Sequence, residues 1–155
     1  MDLQTERAVW QRVKSPGGIT AEEAVLPERL EGLVVQELSD ASALRSAARR
    51  IRGQGSAALN RAAAKTDARV RELTTMHYLL TGRRLRLKAP PHGPAKPLPE
   101  ALRELTLRSR QSARAYESLQ AEFSEYARDF ARFAADARAQ TQILTQTLQT
   151  QLPPK

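Results

Sequence analysis

Leu26-Pro27-Glu28-Arg29-Leu30-Glu31-Gly32-Leu33 returns 72 positions later as Leu98-Pro99-Glu100-Ala101-Leu102-Arg103-Glu104-Leu105. Each copy opens a long segment of helical period, and each of those segments is followed by another. A unit of two helix-forming segments used twice predicts two similar helical hairpins. Packed together, the hairpins form an all-α four-helix bundle, and the repeat then indicates which positions meet at its centre.

The seams follow from the spacing. In the first helix, expected to start at Pro27 because proline suits the first helical position, the apolar line is Leu30, Val34, Glu37, Ala41, Leu44, Ala48, Ile51. The steps alternate four and three, as a helix facing a core requires. Gly53 and Gly55 make the turn. The second helix is expected over about Ser56–Leu80, with the seam Leu59, Ala62, Thr66, Arg69, Leu73, Met76, Leu80 and with Ala63, Val70 and His77 beside it. Thr81-Gly82 reads as its cap. The third helix opens at Pro99 with Leu102, Thr106, Ser109, Ala113, Tyr116, Gln120 and Phe123. Ser124 is placed to cap the fourth. That helix follows Ala127, Phe130, Phe133, Ala137, Gln140, Leu144 and Leu148, and its Thr- and Gln-rich tail from Thr145 to Gln151 is expected to fray.

Residues 83–98 form a linker of 16 residues, rich in proline and basic side chains. Such chain extends by about 3.1 Å per residue and spans roughly 50 Å. A helix of about 25 residues is about 37 Å long. The linker is therefore long enough to join opposite ends of the bundle, as one long crossover. Before the first hairpin, Leu3 to Val13 predicts a short helix anchored by Trp10, Ser15-Pro16-Gly17-Gly18 ends it, and Thr20-Ala21-Glu22-Glu23 reads as a capping box for a short turn. The domain reading is a single unit over 1–155, with an arm at 1–19, hairpins at 26–82 and 99–151, and the crossover at 83–98.

Composition narrows the chemistry. The chain has 155 residues and no cysteine, which removes disulfides, thiolate zinc sites and iron–sulfur clusters. No apolar run approaches the ~20 residues of a membrane span, and Met1 to Val13 is too polar for a signal peptide, so a soluble cytoplasmic protein without membrane contact is expected. The net charge is +8 and uneven. Residues 1–44 carry 4 basic and 8 acidic side chains, residues 45–96 carry 13 and 2, and the remainder 8 and 7. The basic middle suits polyanions such as DNA or RNA. Arg83, Arg84, Arg86 and Lys88 of the linker are its candidate contacts. A solvated arginine-rich face is the plainer reading, because neither interleaved aromatics nor a recognition helix accompany them.

The mid-seam residues carry the remaining signal. Offsets of 72 and 71 align Glu37 with Ser109, Thr66 with Ala137 and Arg69 with Gln140. Met76-His77-Tyr78-Leu79-Leu80-Thr81-Gly82, Ala134-Ala135-Asp136 and the arm Ala8-Val9-Trp10-Gln11-Arg12-Val13 give the chain its resemblance to a family. It resembles the rubrerythrin-like branch of the ferritin-like superfamily, over most of its length. That resemblance implies a di-iron site with one Glu from each of two helices and Glu-x-x-His from each of the others. The six ligand positions fall on Glu37, Thr66, Arg69, Ser109, Ala137 and Gln140, and only Glu37 keeps the family's residue. One carboxylate cannot hold two irons, and a permanently cationic arginine repels them. No cofactor and no catalytic residue is therefore expected.

A guanidinium can instead take the place of a cation. Arg69 is expected to bind Glu37, bidentately, with Ser109, Thr66 and Gln140 satisfying the remaining donors and acceptors. The other reading sends Arg69 out between helices and Glu37 to water. His77 is read as packed or rim, His92 as solvated, and Asp40, Asp67 and Asp136 as surface residues. The functional expectation is a non-catalytic structural or interaction bundle, pairing with itself or with a metal-competent relative. The alternatives are a polyanion-binding bundle and an iron-binding or peroxide-related oxidoreductase with a displaced metal site.

Overall fold

Four helices account for nearly all of the architecture in the computed structural model, which describes residues 21–87, 93 and 95–151. They are α1 (Ala21–Arg49), α2 (Gln54–Thr81), α3 (Leu98–Glu122) and α4 (Ala127–Gln151), with a 3₁₀ turn at Ser124–Tyr126. No strand occurs among the described residues, and no helix among them is long and apolar enough to cross a membrane. The expected helix over Leu3 to Val13, Trp10, His92 and Lys88 lie outside the described residues.

The core divides into two apolar clusters, one at each end of the bundle. One is aromatic. Leu26, Leu30 and Val34 from the start of α1 meet Val70, Leu73 and Met76 from the end of α2, Tyr116 and Leu119 from the end of α3, and Phe130 and Phe133 from the start of α4. Tyr116 and Phe133 stack tilted at 5.4 Å between centroids, and Phe130 meets Phe133 edge-on at 6.3 Å. Ring pairs of this kind add about 0.5–1.5 kcal/mol beyond the area they bury. The other cluster is lighter and alanine-rich. It joins Leu44, Ala48 and Ile51 to Leu59, Ala62 and Ala63, to Leu102 and Leu105, and to Leu144.

The membership of these clusters sets the topology. α1 and α2 run antiparallel, as do α3 and α4, and α1 lies antiparallel to α3. The chain leaves α2 at the aromatic end, where Gly82 takes a left-handed φ of 70° and its N–H donates to the Tyr78 carbonyl at 2.7 Å. Leu85 packs there against the aromatic cluster. The chain enters α3 at the opposite end, where Arg50 of the first turn donates to the Lys96 carbonyl at 2.9 Å. The connection after α2 therefore joins opposite ends of the bundle. The α1–α2 turn is tied by the Ser56 hydroxyl, which donates to the Ala48 carbonyl at 2.8 Å.

Several expectations are corrected. α1 starts by Ala21 rather than Pro27, and Ala21-Glu22-Glu23 are helical rather than a separate turn. Pro27 sits in its second turn, where it lacks the N–H for the carbonyl four residues back. The first hairpin thus begins by residue 21 and the second at Leu98. Ser124 makes no side-chain cap; it opens the 3₁₀ turn between α3 and α4. Gln120 is exposed and Leu119 fills the core instead. After Tyr116 a step of three or of four both keep to the seam, and the apolar residue takes it. Finally, α4 stays helical to Gln151, and its Thr hydroxyls donate to carbonyls one turn back, as Thr145 does to Thr141 at 2.8 Å.

Candidate functional site

A polar layer separates the two apolar clusters. α1 contributes Glu37 and Asp40, α2 Thr66 and Arg69, α3 Ser109 and Ser112, and α4 Gln140, all buried. Tyr116 closes the layer on the aromatic side.

At its centre, Arg69 Nε donates to Glu37 Oε2 at 2.7 Å, with side-chain exposures of only 3% and 2%. The pair forms because the two residues sit at the same level on the facing seams of an antiparallel hairpin. The contact uses one nitrogen and one oxygen, so the expected bidentate geometry is corrected to a single bond. Arg69 Nη2 lies 3.4 Å from the Thr66 hydroxyl, one helical turn away. Burial disfavours the guanidinium cation, but the charge and hydrogen bond of Glu37 hold Arg69 above the ordinary arginine value. Burial pushes the Tyr116 hydroxyl well above the usual phenol range, and the Glu37 charge adds to the effect.

The remaining expected members divide. Thr66 Oγ1 lies 2.9 Å from the Ala62 carbonyl and 3.0 Å from Gln140 Oε1. One hydroxyl proton serves one acceptor at a time. With its NH₂ turned toward Thr66, the Gln140 amide donates to that hydroxyl while Thr66 donates to Ala62. Ser109 does not join the ion pair. Its hydroxyl donates across to the Ala137 carbonyl on α4 at 2.9 Å. Ala137 is fully buried and contributes only packing and that carbonyl.

Asp40 is the main surprise. Read from sequence as a surface residue, it is 3% exposed. It follows Glu37 by three positions and accepts from Arg108 Nη1 of α3 at 3.3 Å. Burial raises its pKa from 3.8 to about 6, and the neighbouring Glu37 carboxylate pushes the same way against Arg108. Nothing in the local sequence marks Asp40, because its partner lies 68 positions away. Asp129 is likewise buried, at 1% exposure, and pairs with Arg132 at 2.9 Å. Asp67 and Asp136 are half-buried, and Asp67 pairs with Arg45. His77 packs in α2 at 6% exposure, its Nδ1 lying 3.4 Å from the Thr81 hydroxyl.

This donor set does not fit a di-iron centre. The layer offers two carboxylates, no imidazole and a cation. Glu37 is already bonded to Arg69, and Asp40 to Arg108. No group of three His, Cys, Asp or Glu side chains placed to hold a metal occurs among the described residues.

The linker cations lie elsewhere. Arg83, Arg84 and Arg86 are exposed at the aromatic end, and the Arg84 guanidinium sits 5.9 Å over the Tyr78 ring. Arg84, Leu85 and Leu87 face Thr74, Thr75 and Tyr78 across an open surface cleft of about 340 Å³. Arg49 and Arg52 are exposed at the other end, after α1, so the two basic groups do not form one patch. No protein-family model matches the chain, and neither a curated protein nor a solved structure matches it.

Proposed function

We propose that this chain is a ferritin-like bundle of rubrerythrin-like lineage that works without metal, as a structural or interaction protein. The internal repeat, the residues quoted for the resemblance and the end-to-end crossover support the lineage. The observation that carries the functional reading is the buried Arg69–Glu37 pair. It puts a fixed positive charge where the family would need a metal cation, and it occupies the one retained ligand. Such a pair need not stabilise the fold relative to an apolar core. It does make the centre electrically self-sufficient.

The test is iron titration of the purified protein by absorbance and mass spectrometry, together with its mass in solution. No stoichiometric iron is expected. Tight, stoichiometric iron or peroxide-dependent oxidation would overturn the reading and restore the oxidoreductase alternative.

A second reading, polyanion binding, is favoured by one observation. Exposed Arg49, Arg52, Arg61, Lys65 and Arg103 all belong to segments at the alanine-rich end. Binding through them would weaken steeply with salt, by about 0.9 log units in affinity per log unit of salt for each phosphate neutralised on duplex DNA. A mobility shift that is absent at low salt, or insensitive to salt, rejects it.

A further inference from the structure

We propose that the outer face of α4 from Ala139 to Gln151 lies in the major groove of duplex DNA, with cations of α2 and α3 on the phosphates at the groove's two edges. This rests on the polyanion reading above and gives it a face and a ligand. Around the bundle the helices follow the order α1, α2, α4, α3, so α4 stands between α2 and α3.

Both borders of α4 change character along their length. Toward the aromatic end each is closed by an ion pair: Glu72 of α2 with Arg132, and Glu117 of α3 with Arg138. Steps of seven and eleven residues return to the same helix face. Seven before Glu72 stands Lys65, and eleven before it stands Arg61. Seven before Glu117 stands Arg110, with Arg103 seven further back and Arg114 one turn after Arg110. The faces that carry a carboxylate to α4 near the aromatic end therefore carry cations toward the alanine-rich end. All five cations are exposed, and none has an ion-pair partner among the described residues. Opposite them, α4 holds no charged residue from Ala139 to Gln151.

Other helix arginines are treated differently. Arg29, Arg45, Arg108, Arg132 and Arg138 each reach a carboxylate. Arg110 and Arg114 are like charges one turn apart, an arrangement that weakens a helix. The fold gains nothing from it, whereas a bound polyanion provides the missing counter-charge.

The layout selects the polyanion. Cations on both sides of one helix match the two phosphate strands that border a groove. The major groove of B-DNA, about 12 Å wide, admits a helix, and the deep, narrow major groove of duplex RNA does not. A single strand calls for aromatic platforms. The exposed ridge of α4 presents Gln142, Gln146 and Gln149 instead, and glutamine amides pair with adenine edges in the major groove.

The test titrates the full chain against a short fluorescent DNA duplex, by anisotropy, over a range of salt. Five phosphate contacts give a slope of log affinity on log salt of about −4.5. Arg110→Ala with Arg114→Ala should make the slope shallower by about 1.8 and lower affinity on the order of 50-fold at about 0.1 M salt. Arg49→Ala with Arg52→Ala, at the alanine-rich pole, should change neither. These side chains are exposed, so both double variants keep the natural Tm. If only the Arg49 and Arg52 pair matters, the α4 face is overturned and the polyanion reading survives. If no duplex binds at low salt, both fall. Equal affinity for duplex RNA, single strands or anionic vesicles also overturns the groove. Because the chain has no cysteine, Gln146→Cys offers a single attachment point for a DNA-cleaving iron chelate. That variant should cut the duplex, and Ser46→Cys on the exposed face of α1 should not. Equal cutting from both positions overturns the proposal.

Discussion

The two hairpins occupy equivalent places in the bundle and fill them with different chemistry. At mid-height the first hairpin holds Glu37 and Arg69, bonded to each other at 2.7 Å. The equivalent positions of the second hold Ser109 and Gln140. There the inter-helix bond runs from a neutral hydroxyl to the Ala137 backbone at 2.9 Å. Further along, Leu44 of the first hairpin answers to Tyr116 of the second, and Tyr116, Phe123, Tyr126, Phe130 and Phe133 all come from the second. The first hairpin thus supplies the central ion pair, and the second supplies the aromatic rings and, at the equivalent seam positions, neutral groups. Glu37–Arg69 and Ser109–Ala137 each stay within one hairpin. Thr66–Gln140 and Asp40–Arg108 then join the two across the layer.

The contrast can be broken most severely at Arg69. Arg69→Leu leaves Glu37 buried without its cation, and a loss of about 3–5 kcal/mol in urea unfolding is expected. Adding Glu37→Leu should recover most of that loss, since the stranded charge is gone. A single variant as stable as the natural chain would show that the first hairpin does not depend on its ion pair.

The next effect is pH-dependent and belongs to Asp40. Its folded pKa of about 6 lies above the unfolded value near 3.8, so the folded state binds the proton more tightly between those limits. The stability it contributes is therefore present at and below about pH 4 and is lost as pH rises through 6. The sum is up to about 3 kcal/mol over that window. Asp40→Asn should remove this part of the slope, read as the difference between the two proteins' stability profiles from pH 4 to 7. Parallel profiles would mean that Arg108 already compensates the buried carboxylate.

The smallest effect sharpens the neutral side. Ser109→Ala deletes the bond to the Ala137 carbonyl and should cost about 1 kcal/mol by chemical denaturation. A cost as large as that of Arg69→Leu would erase the distinction between the hairpins.

Much of the fold was readable because helical period is a local property. Every seam residue assigned to the first helix, from Leu30 to Ile51, is buried, and in the second hairpin Gln120 alone is exposed, with Ala127 and Leu148 half-buried at the ends of their seam. The Glu37–Arg69 contact was accessible because both residues interrupt apolar seams at matching heights. What escaped was decided by tertiary partners. Asp40 flanks its seam and reads as solvent-facing until Arg108 arrives from α3. The single-point contact of Arg69, and the pairing of Ser109 with a backbone carbonyl instead of a charge, depend on helix separations that spacing does not encode. Pro27 misled because proline suits a first turn but can also be carried inside a helix that begins upstream.

The end-to-end passage after α2 has a mechanical consequence. Among the described residues α1 begins at the aromatic pole and α4 finishes at the alanine-rich one, so residues 21 and 151 lie at opposite poles. A pull applied through those points would slide α1 and α4 lengthwise past their neighbours, loading many contacts at once rather than peeling them apart one by one.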